Sequence, residues 1–457
     1  MKLVYDVNQT PPLKKNLLYA FQQLLAIMAA TLLVPVLVDA TGVYMSQPAA
    51  LFGAGAGTLL YILLTKKKSP VFLGSSFAFI TPLCGAVAFG YLGIFLGAVF
   101  AGLVYVVVAL IIKKTGTQWV NKLLPPVVIG PTVALIGLSL CGSAVNNIAN
   151  TAVSPDNYNL VCILVGLIAF LITVFASVKG GKSMKMVPFI IGILGAYFIA
   201  LVLTLIGNAT GCDYIKLVNL AAFDNMQLIH VPEFTFLGIF GAGKGNATIT
   251  GIGDVISIFV LFAPVAFVVM AEHIADHKNL SSVIGRDLIT DPGLDKTLMG
   301  DGLGSILGSF FGGCPNTTYG ESIGCVALTG NASVSTIIIA AIYCIVLSFF
   351  GPFVAFVNSI PSCITGGVCI ALYGFIAVSG LKMLQPVDLG DNRNLFVVAA
   401  ILVCGIGGLK LDFGPIEISS IATALILGII VNVVFNKRTA AEVAEAPAQD
   451  EGKSLDA

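Results

Sequence analysis

Long runs of apolar residues recur along the whole of this 457-residue sequence and restrict what it can fold into. Hydrophobic residues make up 57% of the chain and charged residues only 10%. Soluble proteins carry about 25% charged residues on average, so this chain has too few to cover a water-facing surface. The sequence therefore predicts an all-α polytopic membrane protein whose surroundings are the lipid bilayer.

The cysteines and the charge balance argue against several other classes of protein. The ten cysteines are scattered, mostly inside apolar runs, and no two stand in a CxxC pair. We therefore expect neither a zinc site nor a disulfide framework, and no metal or cofactor. The 23 basic and 23 acidic residues cancel, so no nucleic-acid partner is indicated.

Fourteen apolar segments are candidates for membrane spans, because roughly 17–25 apolar residues can cross a bilayer as a helix. Eleven are full-length, at residues 17–38, 46–65, 91–112, 124–142, 158–178, 187–207, 253–273, 333–355, 361–380, 395–410 and 415–435. Three are shorter or interrupted, at residues 70–86, 298–312 and 315–329. The predicted fold therefore has 14 transmembrane segments.

The distribution of positive charge supports this number of spans. If the N-terminus is cytoplasmic and the chain changes side at each span, twenty of the 23 Lys and Arg residues fall on the cytoplasmic side. The positive-inside rule places them there. The three exceptions are Lys216, Lys244 and Lys410. A wrong number of spans would scramble this asymmetry, so we predict that both termini are cytoplasmic.

The second half of the chain repeats the first. LFGAGAGTLL at 51–60 resembles LMGDGLGSIL at 298–307, residues 75–77 match 317–319, and 125–130 match 361–366. Seven spans, an odd number, separate the partners, so the halves must be inverted relative to each other, as in many secondary transporters. The predicted organisation is a cytoplasmic segment 1–16, a seven-span repeat 17–207, an external loop 208–252, a second inverted seven-span repeat 253–436 and a disordered cytoplasmic tail 437–457.

Polar stretches interrupt the third and tenth spans, at residues 74–77 and 315–320. Non-helical backbone at membrane depth is tolerated only where it is buried in protein or lines a cavity. If each stretch is extended and leads into a short helix, the free N–H groups of two helix N-termini point at one central site. The expected ligand is small, flat and polar, and a kink without a ligand is the alternative.

Two carboxylates accompany these stretches. Glu272 lies in FVVMAEHIADH, and Glu321 lies in CPNTTYGESIG. A charge at the bilayer centre costs about 3 kcal/mol or more, so each residue needs an explanation. Both are candidates for accepting hydrogen bonds from a ligand. The alternative for Glu272 is a side chain that reaches water at the cytoplasmic end of its helix.

A second group of polar residues follows Glu272. His273 and His277 stand at i and i+4, a spacing typical of metal ligands, but the third histidine, His230, falls in the external loop. Metal binding is therefore the weaker hypothesis. Proton handling by Asp276 or a histidine is the stronger one, and a solvated helix end is the remaining alternative.

These motifs resemble the nucleobase–ascorbate transporter family over nearly the whole chain. The resemblance rests on LGSSFAFITP (73–82), AEHI (271–274), DPGL (291–294), PNTTYGESIG (315–324) and ALYG (371–374). Ser322 departs from the family signature, which has Asn there. An acid at Glu321 rather than Gln resembles the uracil branch of the family more than the xanthine branch.

The resemblance implies a proton-coupled uracil importer that works by alternating access, with core and gate domains, in the cytoplasmic (inner) membrane. It is then not an enzyme, and a homodimer is possible. The substrate-binding residues that it implies are Glu272, Glu321, the backbone amides of Phe77 and Gly320, and Tyr319 and Tyr373 in or beside the pocket. The candidates for proton coupling are Glu272, Asp276, which stands where a related permease has a histidine, and His273.

Other functions remain possible on the sequence alone. A xanthine or purine permease of the same family is the first alternative. An anion carrier of the same fold is less favoured, because two buried carboxylates would repel its ligand. A membrane metalloenzyme built on His273 and His277 would need bound zinc, and a channel would need a continuous polar pore.

Overall fold

The computed structural model describes residues 3–39, 44–149, 159–224, 226–240, 249–413 and 417–435. The predicted tail 437–457 lies outside the described residues. The described chain is mostly helical, as the apolar runs predict. The helices of its first half are α1 Leu13–Val38, α2 Gln47–Leu64, α3 Ile80–Val87, α4 Gly90–Thr115, α5 Gln118–Leu123, α6 Pro126–Ser139, α7 Cys141–Ala149, α8 Leu160–Val178, α9 Lys182–Met186 and α10 Pro188–Thr210.

The helices of the second half begin with a short helix inside the predicted external loop 208–252. They are α11 Thr235–Phe240, α12 Ile252–Ile284, α13 Leu294–Phe310, α14 Gly320–Thr329, α15 Val334–Ser348, α16 Gly351–Ser359, α17 Ser362–Lys382, α18 Asn392–Ile406 and α19 Ser420–Phe435. Four short strands accompany them: β1 Leu73–Ser75, β2 Asn316–Thr318, β3 Leu411–Asp412 and β4 Glu417–Ile418.

Many of these helices are long and apolar enough to cross a bilayer. Within the described ranges, eight reach 18 residues or more with the required hydropathy: α1, α2, α4, α6 continued through α7, α8, α10, α12 and α17. Four shorter apolar helices lie at Phe77–Val87, Val334–Ser348, Asn392–Ile406 and Ser420–Phe435. The predicted ninth and tenth spans correspond to α13 and α14, which are helical but are not among these twelve.

Two predicted spans differ in extent from the helices found. Helix α12 continues to Ile284, eleven residues beyond the predicted end at 273, because the chain stops being helical only at Gly285. Gly285 adopts the left-handed conformation (φ 68°), and its N–H donates to the carbonyl of Ser281, which closes the helix. Glu272 therefore lies inside a long helix. The predicted span 333–355 is divided between α15 and α16, which are separated at Phe349 and Phe350.

The two stretches predicted to be extended are strands, and they pair with each other. Strands β1 and β2 are antiparallel, with Leu73 opposite Thr318, Gly74 opposite Thr317 and Ser75 opposite Asn316. This pairing satisfies backbone groups that would otherwise be unpaired inside the protein. It also brings the starts of two following helices close together, namely the 3₁₀ turn Phe77–Phe79, which leads into α3, and α14.

The glycine-rich runs that suggested a repeat pack against each other in α2 and α13. A Cβ atom on Gly304 would lie 3.1 Å from the carbonyl oxygen of Gly57, so the helix backbones touch at this point. Small residues permit such close approach between membrane helices. The two strands are held beside this contact, since the Thr58 hydroxyl donates to the Leu73 carbonyl (3.2 Å) and the Ser305 hydroxyl donates to the Asn316 carbonyl (2.8 Å).

The helices form two packed groups. The first helix group consists of α1–α4 and α12–α15, in which α13 packs on α2 and α4, and α15 packs on α1 and α2. The second helix group consists of α6–α8, α10 and α17–α19, in which α17 packs on α6, α7 and α8. Strands β1 and β2 belong to the first group. A cavity lies between the two groups, beside the strand pair.

Candidate functional site

The cavity beside the strand pair has a volume of about 290 Å³. This is close to the lower limit of ordinary small-molecule pockets, roughly 300–1,000 Å³, so its size fits a small ligand. The first helix group contributes most of the wall and α17 contributes the opposite side. The lining residues are Ser75, Ser76, Phe77, Val133, Glu272, Ala275, Asp276, Asn279, Thr317, Thr318, Tyr319, Gly320, Glu321, Phe375, Ile376, Ser379, Lys382 and Met383.

Two helix starts supply backbone donors to this cavity. Phe77 begins the 3₁₀ turn that leads into α3, and Gly320 is the first residue of α14. The residue before Gly320, Tyr319, is extended (φ −103°, ψ 121°), so the chain turns from strand to helix there. The first N–H groups of a helix have no partner within the helix. Phe77 and Gly320 line the cavity, so their amides remain candidates for donating to a ligand.

Tyr319 holds the two helix starts in place. Its hydroxyl donates to the Ser75 carbonyl (2.8 Å), and its ring covers the backbone of Gly74, where a Cβ atom would collide with the ring. The side chain is 4% exposed, so Tyr319 contributes more to the wall than to the open surface of the cavity. The buried hydroxyls of Ser76 and Thr317 have no partner among the described residues and are free to bond a ligand.

Three carboxylates face the cavity. Glu272 and Asp276 lie one turn apart on the same face of α12, and Glu321 is the second residue of α14. The Thr318 hydroxyl donates to Oδ2 of Asp276 (2.7 Å), which fixes this side chain at the edge of β2. The site thus combines carboxylate acceptors with backbone and hydroxyl donors. Among the described residues that line the cavity Lys382 is the one cation, and it lies at the exposed end of α17, so the site suits a neutral, planar, polar ligand.

Ser322, which replaces the Asn of the family signature, supports the strand pair. Its hydroxyl accepts a hydrogen bond from the Phe72 N–H (3.1 Å), and its carbonyl accepts one from Nε2 of Gln23 (3.2 Å). A short side chain in the first turn of α14 therefore still reaches the backbone that precedes β1. The departure from the signature leaves the strand stretch supported.

Two predicted site residues do not reach the cavity. Tyr373 is fully buried and contacts the Phe77 ring edge to face, with the ring centroids 5.5 Å apart, so it supports the wall from behind. His273 is also fully buried, and its Nδ1 lies 2.7 Å from Oδ2 of Asp301. A helix turns about 100° per residue, so His273, next to Glu272, faces away from the cavity.

His277 also points away from the cavity. Its Nε2 lies 2.7 Å from the Tyr61 hydroxyl, its Nδ1 lies 2.8 Å from the His273 carbonyl, and its ring stacks on the His273 ring with the centroids 4.1 Å apart. The described residues contain no group of three or more His, Cys, Asp and Glu side chains placed to hold a metal ion. The two histidines belong to a hydrogen-bonded packing arrangement within the first helix group.

Asp301 is a buried acid that the sequence analysis did not select. It is fully buried in α13, and one of its oxygens has no partner among the described residues. The sequence did contain a signal. When the two matched glycine runs are aligned, Asp301 corresponds to Ala54 and is the one charged residue in either run. The α17 residues that line the cavity, from Phe375 to Lys382, were also missed, since they follow the ALYG stretch and carry no motif themselves.

Comparison with known proteins agrees with this description. Residues 14–413 match the model of the permease family, Xan_ur_permease. The uracil permease of Bacillus caldolyticus is 38% identical over 442 residues, 96% of each chain, and that of Bacillus subtilis (strain 168) is 39% identical over 423 residues, 91% of each chain. The transmembrane domain of a cyanobacterium bicarbonate transporter, BicA, has the same fold at 14% identity, with a TM-score of 0.61, over 92% of this chain and 97% of that chain.

The apolar helices and the permeases among its relatives define a membrane transport protein rather than an enzyme. The chain belongs to the permease family. This confirms the family resemblance that the sequence motifs indicated. The likeness to the bicarbonate transporter concerns the fold alone.

Proposed function

We propose that this protein imports uracil together with protons, as a secondary active transporter that works by alternating access. The observation that carries the proposal is the cavity in which carboxylates of α12 and α14 face the free amides of two helix starts. Relatives that are uracil permeases over more than nine-tenths of the chain support the same substrate.

The chemistry of uracil matches this arrangement. Uracil presents two N–H donors and two carbonyl acceptors in one plane. In the proposed complex the carboxyl groups of Glu272 and Glu321 accept from the N–H groups, and the amides of Phe77 and Gly320 donate to the carbonyls. A hydrogen bond to a charged group is worth about 1.5–3 kcal/mol, so the carboxylate of Glu321 supplies much of the affinity for a small base. Tyr319 and Tyr373 hold this wall in place.

Proton coupling is proposed to involve the carboxyl groups of the cavity. Glu272 and Asp276 are one turn apart and share its surface, so a proton on either one changes the charge that uracil meets. His273 has a different place in the proposal. It contacts Asp301 behind the cavity wall, so any effect of His273 on coupling passes through Asp301 rather than through uracil.

Uracil binding to the purified protein tests the substrate. We expect saturable binding of uracil in detergent solution, measured by calorimetry, with competition by xanthine weaker by at least about tenfold, the loss expected when one charged hydrogen bond is missing. Tighter binding of xanthine than of uracil would transfer the proposal to the purine permeases of the same family. Binding of neither base would refute the assignment of the cavity.

The membrane arrangement is part of the proposal. We propose 14 transmembrane segments in two inverted seven-span repeats, 17–207 and 253–436, in the cytoplasmic (inner) membrane, with both termini in the cytoplasm. The first helix group is then the core and the second is the gate, as in other inverted-repeat transporters. The contact of the matched glycine runs and the pairing of β1 with β2 support a repeat axis at the cavity. A homodimer is a further expectation for the family.

Cysteine labelling in intact cells checks the topology. Cysteines introduced at Lys67 and Arg286 are expected to be protected from a membrane-impermeant thiol reagent added outside, because the proposal places both in the cytoplasm. Cysteines at Asp156 and Lys244, which fall outside the described residues, are expected to react. The exposed Cys84, Cys141 and Cys212 are first replaced by serine. Reaction of both pairs from the same side would contradict the fourteen-span arrangement.

A further inference from the structure

The wall of the cavity opposite the carboxylates carries one positive charge. Lys382 is the last residue of α17 and lines the cavity together with Phe375, Ile376, Ser379 and Met383. These five positions are spaced i, i+1, i+4, i+7 and i+8, so they form one stripe along the helix. Lys382 is the single Lys or Arg among the described residues that line the cavity.

A complementary stripe lies on α12. Glu272, Asp276 and Asn279 are spaced i, i+4 and i+7 and line the same cavity from the first helix group. An acidic stripe on one helix group thus faces a stripe with a lysine on the other. The proposed transport cycle moves the two groups relative to each other. The electrostatic attraction between a charge on each side therefore changes with the distance between the groups.

Both stripes include exposed side chains toward their C-terminal ends. On α17, Phe375, Ser379 and Lys382 are exposed, whereas Ile376 and Met383 are half-buried. On α12, Glu272 is half-buried and Asn279 is exposed. We place the mouth of the cavity beside Asn279 and Lys382, which are exposed and line it from the two helix groups. Helical side chains lean toward the N-terminus, so the Lys382 side chain leans back along α17 toward the other lining residues.

Asp276 lies near other acidic groups, so a cation nearby would stabilise its ionised form. Glu272 and Glu321 share its cavity, His273 and Asp301 lie behind it in the first helix group, and the Thr318 hydroxyl donates to it. Lys382 makes no ion pair with the described residues. Like charges repel strongly in a partly enclosed space, and a mobile ammonium on the opposite wall offsets that repulsion when the walls approach.

We propose that Lys382 is a positioning residue that pairs with the ionised carboxylate of Asp276 across the mouth and so closes the empty transporter. The inference rests on the proposed transport of uracil. After uracil and the proton leave, Asp276 is charged and attracts Lys382, which draws the two helix groups together on this side. When a proton occupies Asp276 the attraction is lost, and the mouth is free to open.

Comparing net uptake with exchange in proteoliposomes tests this role. Net uptake requires the empty transporter to return, whereas exchange of labelled for unlabelled uracil does not. For Lys382→Gln we expect net uptake to fall about tenfold, the scale of one charge-assisted hydrogen bond, while exchange stays within about twofold of the wild-type rate. Lys382→Arg should restore net uptake. Lys278→Gln, at an exposed lysine of α12 that does not line the cavity, is the matched control and should change neither rate.

The double variant decides whether Lys382 acts through Asp276. In an Asp276→Asn background, Lys382→Gln should lower net uptake no further, because the pair is already broken. Equal losses of net uptake and exchange in Lys382→Gln, or unchanged net uptake, would overturn the inference. So would additive effects of the two substitutions. Absence of uracil exchange in the wild-type protein would instead contradict the proposed function itself.

Discussion

Replacing Glu321 with glutamine is expected to weaken uracil binding at least about tenfold. Glu321 is the second residue of α14 and lines the cavity beside the Gly320 amide. The substitution keeps the size of the side chain but removes its charge, and a hydrogen bond to a charged acceptor is worth about 1.5–3 kcal/mol. Calorimetric titration of the purified variant with uracil measures the loss directly.

Titration of Glu321→Gln with xanthine shows whether the substitution changes the preference between the two bases. An amide both donates and accepts, so Glu321→Gln is expected to bind xanthine no worse than the wild type and to narrow the preference for uracil. Glu233→Gln, the same substitution at an exposed glutamate remote from the cavity lining, serves as the control and should leave the affinity unchanged. Unaltered uracil affinity in well-folded Glu321→Gln would show that Glu321 does not contact the base.

Glu272→Gln is expected to separate binding from coupling. If the protonated form of Glu272 binds uracil, then proton binding and uracil binding must favour each other by the same factor. Wild-type affinity should then fall as the pH rises and Glu272 ionises. Glutamine resembles the protonated acid at every pH, so the variant should bind uracil with little pH dependence while losing accumulation against a gradient. Binding measured across a pH series, together with uptake in proteoliposomes, tests both expectations.

Asp276→Asn distinguishes the two carboxylates of α12 in the same assays. Glu272 is merely a ligand if Glu272→Gln still accumulates uracil and Asp276→Asn does not, because Asp276 then handles the proton. Asp276→Asn also removes the charge from the group that accepts the Thr318 hydroxyl hydrogen bond, so its binding affinity is measured alongside transport. Weaker uracil binding by Asp276→Asn with accumulation retained would exchange the two roles.

Much of this site could be predicted from the sequence because its residues are polar or charged within otherwise apolar runs. Glu321 is conspicuous as a charge in an apolar run, and the stretches 74–77 and 315–320 are polar where helix is expected. Such residues are tolerated inside a membrane only where they are buried in protein or line a cavity. The strands and the helix starts at the cavity could therefore be predicted.

Other features depend on packing that sequence spacing does not determine. His273 follows Glu272 directly, and only the rotation of α12 against its neighbours turns it toward Asp301 instead of the cavity. Asp301 was hidden inside a glycine run that suggested packing rather than chemistry. The extent of α12 was underestimated because the polar residues after 273 look like a helix end, although the helix continues to Gly285. Residues of α17 such as Lys382 became candidates only when the cavity placed them opposite the acids.

Uracil accumulation in proteoliposomes under an imposed pH gradient tests the central claim most directly. With the exterior one pH unit more acidic than the interior, coupling of one proton to one uracil supports a concentration ratio of up to about tenfold, since each factor of ten corresponds to about 1.4 kcal/mol. We predict that labelled uracil accumulates above its external concentration and that a protonophore abolishes the excess. Equal internal uracil with and without the protonophore, or no uptake of uracil at all, would contradict proton-coupled uracil transport by this protein.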